Sequence, residues 1–251
     1  MSRSVPPVGH MKSIDLVTEG VITIQETVRI IREYIEKRQG HKAFKGNGGA
    51  DQLLGGLGND TIFGGFDGDY IDGGAISERN IVDYSTFASA STINLSTGKA
   101  YLNSTPTLFD TLSNIQNVVG TTASDTIVGK SGVANTLFGG AGDDTLSGNL
   151  DGDLLDGGAH TIGDTADYSA YTASTNLTVD MGAQTIAQTS NSANKDSFQN
   201  IEIIKTGAGA DTFTVNATFD TGNYTLDGGS GEDTIDYGAI SEAINVTLNG
   251  A

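Results

Sequence analysis

The sequence predicts an all-β solenoid, a chain wound into coils of short strands. Three observations carry that expectation. Tight glycine-rich loops ending in an acid recur at nine-residue intervals. An apolar residue follows most of these acids two positions on, as a half-buried strand requires. Glycine is abundant, with 35 residues, while cysteine and tryptophan are absent and only three prolines occur. The clearest unit is Gly55-Gly56-Leu57-Gly58-Asn59-Asp60-Thr61-Ile62-Phe63, and Gly64-Gly65-Phe66-Asp67-Gly68-Asp69-Tyr70-Ile71-Asp72 follows at once.

Charge narrows the function classes. Thirty-one acidic residues face thirteen basic ones, a formal charge of −18. That excess opposes compaction unless cations neutralise part of it. No basic stripe is available to meet phosphates, which argues against nucleic acid as a partner. Many of the acids follow glycines in register, a pattern expected of ligands rather than of a solvating tail. No run of eighteen apolar residues exists, so no transmembrane helix is expected, and no continuous apolar stretch near the N-terminus suggests a cleavable Sec signal. Without cysteine there is neither a disulfide scaffold nor a thiolate-bound metal.

In chain order, residues 1–12 read as a flexible leader, either vector-derived up to a native start at Met11 or native throughout. Residues 13–43 form an N-terminal segment with one amphipathic helix over about 23–39. Thr23 and Glu26 make its capping box, Ile24, Val28, Ile31 and Ile35 its apolar stripe, and Gly40 its C-terminal stop. Such a helix is expected to cap the open apolar end of the solenoid. Nonapeptides then run in three blocks. Their sixth positions hold Asp51, Asp60 and Asp69, then Asp125, Asn135, Asp144 and Asp153, then Asp211 and Asp233. The copy holding Asn135 carries one extra residue.

A larger repeat encloses the small one. Asp83-Tyr84-Ser85 recurs as Asp167-Tyr168-Ser169 and, more loosely, as Asp236-Tyr237-Gly238, each followed by a β-prone segment. Asp110-Thr111-Leu112-Ser113-Asn114-Ile115 recurs as Asp196-Ser197-Phe198-Gln199-Asn200-Ile201. The expected division is module 1 over 44–119, module 2 over 120–206 and a truncated module 3 over 207–251, the last expected to continue in a longer protein.

The spacing suits a hard cation. Calcium takes six to eight oxygen ligands from carboxylates, carbonyls and water, and glycine lets a loop turn its carbonyls toward one point. Eighteen residues make a full coil with loops on opposite edges. Asp51 and Asp69 then share one edge with Asp60 on the other, Asp125 and Asp144 share an edge, and Asn135 and Asp153 share an edge.

On these residues the chain resembles the RTX (repeats-in-toxin) proteins, whose nonapeptide is Gly-Gly-x-Gly-x-Asp-x-apolar-x, a known signature of a calcium-binding β-helix. The best copies are 55–63, 139–147 and Gly228–Asp236; those at 46–54 and 64–72 depart by a residue or two. The resemblance implies a right-handed parallel β-roll holding several calcium ions. It implies ligands at the sixth positions together with loop carbonyls such as those of Gly56, Gly58, Gly65, Gly140 and Gly142. It also implies an extracellular bacterial protein, exported by type I secretion and folding on external calcium. Two junction loops are longer: Gly73-Gly74 leads to Asn80 and Gly157-Gly158 to Asp164, each two residues late, and weak or absent sites are expected there.

Other signals fail. Gly129-Lys130-Ser131 lacks the glycine a phosphate loop needs at position 124, where Ser124 stands. Asp151-Gly152-Asp153 lacks the later ligands and the helices of an EF-hand. His10, His41 and His160 belong to no zinc or triad pattern, and His160 is expected to be a solvated side chain. Ser230 fits the repeat better than a nucleophile elbow. Tyr84, Tyr168 and Tyr237 are expected to pack at coil transitions.

The leading expectation is a secreted, non-enzymatic calcium-binding β-roll region with a structural or adhesive role, meeting a cell surface or extracellular polysaccharide. The alternative is an accessory region of a secreted RTX enzyme (a protease, lipase or polysaccharide-modifying enzyme) whose catalytic domain lies outside this chain. An ice-binding solenoid would need a regular Thr-x-Thr ladder, and Thr212-Phe213-Thr214 alone does not make one.

Overall fold

The computed structural model describes residues 43–75, 79–216 and 224–240. The chain divides into two units, residues 1–37 and 38–251. The first unit, and with it the expected capping helix, lies outside the described residues, as does the strand expected at 244–248.

The described chain is all-β, a parallel β-roll of two facing sheets. It starts by alternating between them: β1 (Ala43–Lys45), β2 (Gln52–Leu54), β3 (Thr61–Phe63), β4 (Tyr70–Asp72) and β5 (Ile81–Asp83). Each strand stacks in parallel on the strand one coil earlier, as with Gln52 beside Tyr70 and Thr61 beside Ile81. One inward residue per strand fills the interior. Ile62, Ile71 and Val82 are fully buried, and each contributes about 1.5–3 kcal/mol by leaving water. Three-residue strands suffice because glycine loops turn the chain at both ends.

The winding is interrupted twice. After β5 the chain lays down β6 (Ser91–Asn94), β7 (Lys99–Leu102) and β8 (Asp110–Ser113) as an antiparallel meander. The order along that sheet is β4-β8-β7-β6. The chain therefore leaps ahead and fills in backwards, so that β8 stacks on β4. Regular winding resumes through β9 (Asn117–Val119), β10 (Thr126–Val128), β11 (Thr136–Ala141), β12 (Thr145–Ser147), β13 (Leu154–Ala159) and β14 (Thr165–Asp167). The second meander, β15 (Leu177–Asp180), β16 (Thr185–Gln188) and β17 (Asn191–Gln199), adds its strands to the opposite sheet. β18 (Ile203–Lys205), β19 (Thr212–Asn216), β20 (Thr225–Asp227) and β21 (Thr234–Ala239) complete the described roll. Among the described residues the two sheets hold eleven and ten strands.

Both Asp-Tyr-Ser motifs fall at the start of a meander, and their tyrosines pack inside. Tyr84 is fully buried, stacked on Phe66 at 4.3 Å between ring centroids, with Phe87 edge-on to Phe66. Tyr168 is buried beside Tyr171. The last described strand, β21, has a stacking neighbour on one side among the described residues, and its inward residue Ile235 is 40% exposed.

Candidate metal centres: two carboxylate ladders

Each sixth-position residue stands just before a strand, two residues ahead of the inward apolar side chain. Residues i and i+2 share a face of a strand, so the acid is drawn inside with the apolar residue. Asp60, Asp69, Asp144, Asp153 and Asp211 are each at most 1% exposed. In this way nonapeptide periodicity buries a column of carboxylates at each edge of the roll.

Along the stack, the amide of one ladder residue donates to a side-chain oxygen of the next. The amide of Asp51 donates to Asp69 Oδ1 (2.8 Å), and that of Asp69 to Asp110 Oδ1 (2.9 Å). Further along the same edge, Asp125 donates to Asp144 (2.7 Å), Asp144 to Asp164 (2.7 Å) and Asp164 to Glu202 (2.9 Å). On the other edge, Asp60 donates to Asn80 (2.9 Å) and Asn80 to Gln116 (2.8 Å). There, too, Asn135 donates to Asp153 (2.6 Å), Asp153 to Asp196 (2.8 Å) and Asp211 to Asp233 (3.0 Å). The regular coils connect residues eighteen apart and the long junction loops residues twenty apart.

The second oxygen differs. The Oδ2 atoms of Asp51, Asp69, Asp144, Asp153, Asp164 and Asp211 are buried with no hydrogen-bond partner. They face into their own loops: a methyl group placed on Gly46 or Gly64 would lie 2.9 Å from the Oδ2 of Asp51 or Asp69. An unpaired buried carboxylate oxygen is costly, and burial pushes Asp69, Asp144, Asp153 and Asp164 toward protonation. Asp144 is raised to about 7, first by desolvation and then by Asp125, Asp164 and Asp143. Asp153 is raised by burial and by neighbouring Asp196; Asp69 and Asp164 are raised mainly by burial. A bound cation relieves this arrangement and keeps the carboxylates ionised.

Where the repeat departs from glycine or acid, the protein supplies its own partner. Asp125 accepts from the Thr121 amide and hydroxyl and from the Ser91 amide and hydroxyl, so both of its oxygens are engaged. Asn135 accepts from the Lys130 amide and donates to the Gln116 carbonyl. Asn80 accepts from the Asp60 amide and donates to the Asn114 carbonyl. At the meanders Tyr84 donates to Asp110 Oδ2 at 2.8 Å and Tyr168 to Asp196 Oδ2 at 2.6 Å. In these places a phenol takes the position that elsewhere calls for an ion. Asp233, the last acid on its edge among the described residues, is exposed.

The five loop glycines named from the sequence all adopt left-handed backbone: Gly56 (φ 86°), Gly58 (102°), Gly65 (121°), Gly140 (111°) and Gly142 (120°). The Gly56 carbonyl accepts from Ala75 of the next coil at 3.3 Å, so it points along the stack toward the following loop. Gly140 and Gly158 stack so closely that a Cβ on Gly158 would meet the Gly140 carbonyl. Oxygen-lined loops of this kind, each with an anionic oxygen lacking a partner, fit a hard divalent cation.

His160 is exposed, as the sequence led us to expect, and it also has carboxylate neighbours: its Nδ1 lies 3.1 Å from Glu202 Oε2 and 3.6 Å from Asp164 Oδ2. Sequence reading also passed over Asp110, Gln116, Asp196 and Glu202 as ladder members. The signal was present, since each stands two residues before an inward Leu112, Val118, Phe198 or Ile204.

A family model for the RTX calcium-binding nonapeptide repeat matches four copies, over residues 45–75, 131–159 and 220–239. Comparison with curated proteins finds no match. The matched segments carry the loops of Asp51, Asp60 and Asp69, those of Asn135, Asp144 and Asp153, and that of Asp233.

Proposed function

Starting from a chain of RTX type, a β-roll built on calcium-binding repeats, we propose that calcium is what makes this region fold, and that it folds outside the cell. The observation that carries the reading is the set of buried Oδ2 atoms on Asp51, Asp69, Asp144, Asp153 and Asp211. Without a cation these carboxylates must either take up protons or remain as unpaired buried charges, and both oppose folding at neutral pH. With calcium, they and the loop carbonyls become ligands, and neighbouring coils are held together through the ion. Binding and folding are then one event.

The ligands assigned to calcium are the sixth-position carboxylates of the nonapeptide loops, with the carbonyls of Gly56, Gly58, Gly65, Gly140 and Gly142 in support. Asp125, Asn135 and the long Asn80 loop contribute less, because protein donors already engage their side-chain oxygens. Extracellular modules bind calcium with dissociation constants on the order of 10⁻⁴–10⁻³ M. Such sites would stay empty in a cytosol poor in calcium and fill after export. Type I secretion of an unfolded chain suits that sequence of events. The role we assign is structural or adhesive, with no catalytic function.

Circular dichroism of the full chain in chelator and in about 5–10 mM calcium, above that affinity range, tests the reading. A gain of β signal on adding calcium is expected. Equal β content in both conditions would sink it.

A further inference from the structure

The loop from Gly157 to Asp164 is two residues longer than a nonapeptide loop, and the insertion is organised. Asp143 Oδ1 accepts the amides of Thr161 (2.9 Å), Ile162 (2.7 Å) and Gly163 (3.2 Å). This clamp sets the residue before it, His160, over the Asp164–Glu202 step of the ladder. The imidazole Nδ1 lies 3.1 Å from Glu202 Oε2 and 3.6 Å from Asp164 Oδ2, and the three donor atoms all lie within 4.8 Å of one another. Asp164 Oδ2 is buried and otherwise without a partner, and it is aimed into this cluster. The Asp164 amide holds Glu202 Oε2 in place at 2.9 Å. The side chains of His160 and Glu202 are 33% and 22% exposed, which leaves room for water as a further ligand.

We propose that His160, Asp164 and Glu202 form a binding site for a zinc-class divalent ion, different in ligand chemistry from the calcium loops. A tetrahedral zinc ion with bonds of about 2.0–2.1 Å separates its ligand atoms by roughly 3.3–3.4 Å. The two separations at Nδ1 lie on either side of that figure, and the two carboxylate oxygens, within 4.8 Å of one another, would close on the ion as it binds. The imidazole nitrogen sets the preference, since calcium selects oxygen donors whereas zinc, copper and nickel accept imidazole readily. Two carboxylates balance the charge of the ion. The Asp143 clamp orients the histidine loop before any ion arrives, which lowers the ordering cost of binding. The site requires the folded roll and so, on the proposed function above, rests on calcium filling the other loops.

The test uses the full chain in about 10 mM calcium, above the affinity range of extracellular calcium modules. Zinc is titrated against a chromophoric chelator, with cobalt as a spectroscopic substitute and circular dichroism recorded on the same samples. The expected result is one zinc equivalent per chain that survives excess calcium, together with the visible absorption of four-coordinate cobalt. His160→Gln and Glu202→Gln should each weaken zinc by at least about tenfold and leave the circular dichroism unchanged. Zinc bound equally by wild type and His160→Gln would overturn the proposal, because the ion would then lie elsewhere. Absence of zinc binding in excess calcium would overturn it as well. A chain β-structured in chelator and calcium alike would remove the calcium-folding reading while leaving this titration readable.

Discussion

Asp144→Asn should change the sign of its effect on stability when calcium is added. In wild type, Asp144 is 1% exposed, its Oδ1 accepts the Asp125 amide, and its Oδ2 has no protein partner. Burial raises its pKa from 3.8 to about 7. The folded-state value lies above the unfolded one, so the contribution to stability is fully present below about pH 4 and is lost as pH rises to about 7. At about 1.4 kcal/mol per unit, a shift of roughly three units makes the ionised residue cost up to about 4 kcal/mol above pH 7 without a cation. The amide variant keeps the acceptor for Asp125 and removes the charge. In chelator at pH 8 it should therefore recover part of that cost, appearing as more β signal and a higher urea midpoint. The gain should shrink toward zero near pH 4. In saturating calcium the same substitution deletes an anionic ligand, so the midpoint should fall and the calcium needed for half-folding should rise. Urea melts followed by circular dichroism, with and without calcium at both pH values, measure all four quantities. A shift of the same sign in chelator and in calcium would refute the reasoning.

Three other outcomes follow from the same geometry. Wild type in chelator should gain β structure on acidification from pH 8 to 5, because Asp144, Asp153, Asp69 and Asp164 are all raised by burial; in saturating calcium that gain should vanish or reverse. Tyr84→Phe and Tyr168→Phe each leave a buried oxygen on Asp110 or Asp196 without its phenol, at a cost of about 1–3 kcal/mol. Urea denaturation should show that loss even in saturating calcium, and a loss that calcium abolishes would contradict it. Gly158→Ala places a methyl group on the Gly140 carbonyl at φ 98°, whereas Gly132→Ala, at φ 77°, meets nothing within 4 Å. The second should cost about 1–2 kcal/mol from backbone handedness alone, and the first about 1–3 kcal/mol more from overpacking, read as the difference between the two urea midpoints.

Much of the roll was legible because two local periods coincide. The nine-residue loop period and the two-residue strand period together fixed which side chains turn inward, from Ile62 through Leu155, and which acids share an edge. What remained hidden depends on contacts between distant residues. The Asp-Tyr-Ser repeat was plain, but the phenols of Tyr84 and Tyr168 find carboxylates 26 and 28 residues away. The β-prone stretches after each motif were visible too. That they fill their sheet in reverse order follows from where β8 and β17 must dock, on β4 and β13. Thr121 replaces a loop glycine, and only the folded loop shows its hydroxyl turned onto Asp125. His160 reads as an ordinary loop residue until the chain has closed the distance to Glu202, a residue far along the sequence.

The placement of the two meanders amounts to a counting rule for lengthening such a protein. The first puts three strands, β8, β7 and β6, into its sheet while the facing sheet receives only β9. From that point one sheet leads by two strand spacings, roughly 9–10 Å. The second adds β17, β16 and β15 to the other sheet against β18 alone, and the lead is cancelled. The cancellation depends on parity: five half-coils, β9 to β13, separate the first meander from the second Asp-Tyr-Ser strand. Deleting a single nonapeptide, such as residues 139–147, would send the second meander to the same side as the first and double the offset. Deleting two in succession would preserve the alternation. Whole eighteen-residue turns are therefore the units by which this chain can be shortened or extended without its sheets falling out of step.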